Sequence, residues 1–190
     1  ALVGVQFQFS FLAGSPFIAF MLFMGVAFGF MWAIEKNKDS GVGVALLLGF
    51  TFFMGLMLSR ILQVALGFSN GGSMIALAAG GTGAIFFTMA SIAAVSKRDF
   101  TGMGKFLFIG MIVVLLAAVA NIFFQIPALS LTIAAAVVLI FSAYILFDVS
   151  RIVHGGETNY VMATLGLFLS IYNLFISLLQ LLMAFSGERD

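Results

Sequence analysis

The sequence predicts an all-α membrane protein built as one multi-pass transmembrane domain over residues 1–190, on three observations. The chain is 63% hydrophobic and only 8% charged, with a mean hydropathy of +1.24, and a soluble surface needs far more charge than this. Runs of roughly 20 or more residues almost free of charge recur along it, each long enough to cross about 30 Å of hydrocarbon. Backbone polar groups in lipid must pair internally, so these runs are helices. One polar stretch, Phe147 to Tyr160, interrupts the apolar C-terminal third and holds the sole histidine.

In chain order, spans are expected near 15–34, 41–66, 73–95, 105–124, 128–147 and 160–185, with residues 1–13 as the remnant of a further span. Residue 1 is Ala and an apolar stub begins abruptly, so the chain is expected to lack its true N-terminus. That stub has neither the charged n-region nor the cleavage site of a signal peptide. Lys and Arg are retained in cytoplasmic loops. Lys36 and Lys38 stand in the first connector, Lys97, Arg98 and Lys105 in the third, and Arg151 in the fifth. Residues 67–72 and 125–129 carry no basic side chain, so odd connectors are expected inside and even ones outside. A fully crossing last span would leave residues 187–190 outside.

Without cysteine, and with one histidine, disulfides, Fe–S clusters, thiol nucleophiles and multi-histidine metal sites are excluded. A net charge of +1 offers no basic patch for nucleic acid. No cofactor is expected.

Small residues mark where helices approach closely. Gly25 and Gly29 form a small-xxx-small pair, Gly80, Gly81 and Gly83 crowd the third span, and Ala134 to Ala136 keep the fifth thin, as association in lipid requires. In the last span Gly166, Ser170, Asn173, Ser177 and Gln180 recur at three or four residues and share one face. That face is expected to look into the bundle. It serves either as polar glue worth about 0.6 kcal/mol per hydrogen bond or as the lining of a hydrated path shared with Asp148.

Asp148 ends the fifth of these spans, with Tyr144 four residues before and Arg151 three after, on one helical face. A carboxyl at that depth is a candidate proton-sensing or gating group. Its plainer role is an interfacial ion pair with Arg151. Burial and a nearby guanidinium act on such a carboxyl in opposite senses, which leaves its charge state open. Arg60, six residues before the end of its span, is expected to snorkel to the opposite interface.

Gly155 and Gly156 read as a helix stop, and Thr158 or Asn159 as the cap of the next helix. His154 then sits by the last carbonyls of the preceding helix, where a cation is favoured. Capping does not require His154 or Glu157, so a pH-sensitive contact or partner surface is open there. Two enzyme readings fail. Gly67-Phe68-Ser69-Asn70-Gly71 matches G-x-S-x-G, but its histidine partner would lie across the membrane. An intramembrane aspartyl protease needs paired carboxylates, and only Asp148 lies at membrane depth.

The segment Ile145 to Tyr160, with its string His154-Gly155-Gly156-Glu157-Thr158-Asn159-Tyr160, continued by Leu167 to Leu179, resembles the C-terminal signature of the Bax inhibitor (TMBIM) family. Val119 to Leu129 and the Gly80-Gly81-Thr82-Gly83 region are similar to its bacterial YccA-like branch, so the resemblance covers nearly the whole chain from Pro16. It implies a seven-helix bundle whose first helix is mostly missing here. It also implies a multi-pass place in the bacterial inner membrane, in contact with the lipid bilayer, and one of two activities. The first is binding and modulating the membrane AAA protease FtsH. The second is a pH-sensitive leak, with calcium as the transported ion. Leak members carry an aspartate pair in the last two helices; Asp148 matches the first and Ser170 stands at the second, which favours the FtsH activity. Asp148, Ser170, Asn173 and nearby carbonyls are the only calcium candidates, against the six to eight oxygens calcium takes.

Overall fold

In a computed structural model, which describes residues 16–96 and 98–187, the chain forms six long helices. They are α1 (Pro16–Asn37), α2 (Gly41–Leu66), α3 (Gly71–Val95), α4 (Gly104–Phe124), α5 (Pro127–Val153) and α6 (Tyr160–Gly187), with a 3₁₀ turn at Thr101–Met103 before α4. All six are long and apolar enough to cross a membrane, and no strand occurs among the described residues. The expected span remnant at 1–13, Lys97 and residues 188–190 lie outside the described residues.

α5 departs most from its expected bounds. It continues to Val153, past the anticipated 147, so Asp148 and Arg151 stand inside its last two turns. Arg151 therefore belongs to the helix rather than to the connector, because a cation is favoured beside the last carbonyls. The helix ends at Val153 with His154 as its cap, and Gly155 just beyond takes φ +75°.

The chain divides into two compact units, Ala1–Val64 with Asn159–Leu165, and Ala65–Thr158 with Gly166–Asp190. In the first, α2 runs back along α1, with rings in register: Phe30 lies 5.8 Å from Phe50 and Phe23 6.0 Å from Phe53. Ile34, Phe50 and Val161 are fully buried there. In the second, α3 and α4 both pack against α5, and the 3₁₀ turn rests on α5. Its buried positions are dominated by small side chains, Ala78, Ala93, Ala134, Ser142 and Ser150 among them. Helices with little side chain at the contact approach closely, which is how van der Waals packing substitutes for the missing hydrophobic drive in lipid. Large apolar side chains such as Val95, Phe106 and Leu139 point outward, as a hydrocarbon solvent allows.

The glycines divide along the same line. Gly81 meets Leu178 at 3.5 Å, whereas Gly25, Gly29, Gly80 and Gly83 have nothing within 4 Å among the described residues. Gly25 and Gly29 are therefore not a close helix contact among those residues, since both face outward.

The G-x-S-x-G run is a helix-to-helix turn, not a strand-to-helix elbow. Phe68 N–H donates to the Ala65 carbonyl and Gly71 N–H to the Phe68 carbonyl, each at 3.1 Å. Gly71 is buried, and a Cβ there would be driven into the Ala65 carbonyl. Gly71→Ala is expected to cost about 1–3 kcal/mol through backbone displacement. The neighbouring Gly72→Ala, which opens onto free space, should be neutral or up to about 1 kcal/mol stabilising. Thermal unfolding of both variants in detergent checks this contrast.

Candidate functional site

The polar run becomes a tightly bonded turn. Gly155, with its left-handed backbone, lets the chain fold back so that Gly156 and Glu157 N–H both donate to the Arg151 carbonyl, at 2.8 and 3.1 Å. Both bonds fall on one carbonyl that the helix end otherwise leaves open. Asn159, rather than Thr158, caps α6: its Oδ1 accepts the N–H groups of Val161 and Met162 at 3.0 and 3.1 Å. Its amide nitrogen donates to the Lys38 carbonyl at 3.2 Å and to Asp39 Oδ1 at 2.8 Å, tying the cap to the α1–α2 turn within the first unit.

Arg151 does not pair with Asp148. Its Nη2 lies 3.1 Å from Glu157 Oε2, and its guanidinium stands 5.5 Å from the Phe147 ring centre, a cation–π arrangement. The expected Asp148–Arg151 bridge is thus replaced by one across the turn, because Gly155 brings Glu157 back over the last turn of α5. Both partners are partly exposed, so the bridge itself is worth at most about 1 kcal/mol. Its consequence is to fix the turn.

Asp148 is instead met from α6. Ser170 Oγ donates to Asp148 Oδ2 at 3.3 Å, and Gly166 packs beside the carboxyl, where a Cβ would lie in ordinary contact with Oδ2 at 3.4 Å. Asn173, expected to join them, donates instead to the Leu169 carbonyl of its own helix at 2.8 Å. Gln180 is exposed. The structure therefore brings together Asp148, Gly166 and Ser170 from the predicted polar face, with Ser177 buried farther along. Among the described residues no three His, Cys, Asp or Glu side chains cluster as metal ligands do.

A second polar cluster was not singled out by the sequence. Ser150 is fully buried; its Oγ accepts the Phe100 N–H at 3.0 Å and approaches Asp99 Oδ1 at 3.4 Å. His154 Nδ1 lies 2.9 Å from the Ser150 carbonyl and 3.3 Å from its Oγ. The connector before α4 is thereby docked on the end of α5. Only the four-residue spacing of Ser150 and His154, which stacks them on one helical face, hinted at this; nothing local announces Asp99.

Asp99 is held below the usual carboxylate range. The Thr101 N–H is the main cause, at 2.9 Å, followed by the Thr101 hydroxyl; burial opposes them, and His154 and Ser150 add to the lowering. A carboxyl with a depressed folded-state pKa stabilises its contacts above its unfolded pKa, about 3.9, and loses that contribution as pH falls through the folded value. The Asp99–Thr101 turn within the connector is therefore expected to be fully formed from neutral pH down to about 5 and to weaken below about 4. Ser150→Ala removes the Phe100 acceptor at every pH, a loss of about 1 kcal/mol. Hydrogen exchange at Phe100 and Thr101, corrected for intrinsic rates, reads both effects.

The family model described as Inhibitor of apoptosis-promoting Bax1 matches residues 1–187. The chain is 43% identical over 155 residues to the Modulator of FtsH protease YccA of Escherichia coli K12, covering 82% of this chain and 70% of that protein. The same figures hold for the protein named Inner membrane protein YccA in Escherichia coli O6:H1. An uncharacterized protein of Neisseria meningitidis serogroup A is 41% identical over 182 residues, covering 96% of this chain and 80% of the relative. With six apolar helices of spanning length among the described residues and a family match along nearly its whole length, the chain belongs to the Bax inhibitor family of multi-pass inner-membrane proteins.

Proposed function

We propose that the protein binds the membrane protease FtsH and modulates it without catalysing a reaction itself. The observation that carries this reading is the 43% identity with a relative named for that activity. The turn from Arg151 to Asn159 supports it: cross-bonded by the Arg151–Glu157 pair and capped by Asn159, it presents an exposed His154 on a fixed backbone. A fixed, water-accessible turn can be recognised without an ordering cost. Helix faces in the bilayer complete the contact. On gentle solubilisation of native membranes, FtsH is expected to co-purify with the protein, and His154→Ala to lower its recovery several-fold while the helices stay folded. Absence of FtsH from the purified material, with unchanged turnover of its substrates, overturns the proposal.

The Asp148–Ser170 contact at 3.3 Å favours a second reading, a pH-sensitive leak with calcium as its cargo. A half-buried carboxyl between α5 and α6 within the second unit can alternate between neutral and charged forms, and only the charged form attracts a cation. Asp148→Asn is then expected to abolish the pH dependence of calcium flux into proteoliposomes. Superimposable wild-type and variant curves remove Asp148 as the gate.

A further inference from the structure

We propose that a cleft between α1 and α2 binds one anionic phospholipid of the surrounding bilayer, with its phosphate on Arg60 and an acyl chain on an aromatic floor. The cleft encloses about 400 Å³, within the roughly 300–1,000 Å³ of small-molecule sites. Ala19, Phe20 and Phe23 of α1 and Phe53 and Met57 of α2 line it, and Arg60 is the sole charged group among the lining residues. Phe23 and Phe53, whose ring centres stack at 6.0 Å, both line it.

Because α2 runs back along α1, Arg60, about two turns beyond Phe53, comes level with the beginning of α1. It precedes the α2 terminus by six residues, about 9 Å along the axis, a distance its side chain can span to reach the headgroup region. Among the described residues Arg60 makes no hydrogen bond or ion pair. An unpaired guanidinium at membrane depth is costly. A phosphodiester offers it two acceptors in the geometry its fork prefers. A zwitterionic lipid carries its own cation and neutralises Arg60 less well than a net anion does. An apolar trough with a cation at its outer end thus matches a molecule that is apolar along its length and negative at its tip.

The test is native mass spectrometry of the purified protein titrated with phosphatidylglycerol or phosphatidylcholine. One phosphatidylglycerol should be retained with about a fivefold preference over phosphatidylcholine, the effect of a single basic residue at an anionic surface. Arg60→Gln should erase the preference and Arg60→Lys keep most of it. Ala19→Phe, which fills the cleft and leaves the cation in place, should reduce retention of both lipids. Circular-dichroism melts establish that each variant is folded. A photo-cross-linking residue replacing Leu22 should label phosphatidylglycerol in mixed vesicles. Equal retention of the two lipids by the wild type, an undiminished preference in Arg60→Gln, or cross-links to residues 1–15 or to a second copy of the chain would overturn the assignment.

Discussion

Hydrocarbon offers no hydrogen-bond partner, and polar groups in the spanning segments that cannot reach the headgroup region have to find one inside the protein. The backbone meets this demand by being helical throughout the six spans. Polar side chains meet it mostly by turning back on their own helix. Thr82 donates to the Ala78 carbonyl at 2.7 Å, Ser142 to the Val138 carbonyl at 2.6 Å, and Asn173 to the Leu169 carbonyl at 2.8 Å. Among the described residues no buried side-chain nitrogen or oxygen lacks a partner. Small hydroxyl residues can therefore occupy helix contacts without an uncompensated polar group, and the thin surfaces they leave allow the packing of α3 and α4 on α5.

Against that background the few bonds that leave a helix define where chemistry can occur. Ser170 reaching Asp148, Ser150 holding the Phe100 amide, and Asn159 holding the α1–α2 turn each fasten one segment to another. The first lies within two spans; the other two lie at connectors. The Arg151–Glu157 bridge and the doubly bonded Arg151 carbonyl make the intervening turn stiff. A pre-formed turn is suited to recognition by another protein, which fits a modulator of a membrane protease. The carboxyl held by one hydroxyl is suited to a change of charge, which fits a leak. The two functions would draw on neighbouring but separate parts of the same helix end.

Gln125 illustrates how the connectors accommodate short loops. It takes a left-handed φ of 50° without being glycine, a conformation that costs of order 1 kcal/mol or more. Asn121 offsets this by accepting the Ile126 N–H through Oδ1 at 2.9 Å and donating to Ser130 at 2.6 Å, and Pro127 starts the next helix in a preset conformation. The helices can then reverse direction over two residues.

Composition and periodicity alone determined that the chain spans a membrane as helices and roughly where each helix lies; local residue types marked Gly155 and Gly156 as a helix stop and Thr158 or Asn159 as the next cap, and placed Asp148 near a helix end and Ser170 on the polar face of the last span. These are local properties: hydrophobic length, the left-handed backbone that glycine tolerates, and the three-to-four-residue repeat of a helical face. Only the tertiary structure decided the partners. Arg151 chose Glu157 over Asp148 because Gly155 turns the chain back over the helix end. Asn173 spends its amide on the Leu169 carbonyl of its own helix. Asp99, Ser150 and Gly166 gained their roles from segments distant in sequence, and Gly25 and Gly29 carry no close helix contact among the described residues. A side chain's address on a helix can be read from its neighbours in sequence; what stands opposite it depends on how helices are laid together, and in a chain this uniformly apolar the residue pattern carries little information about that.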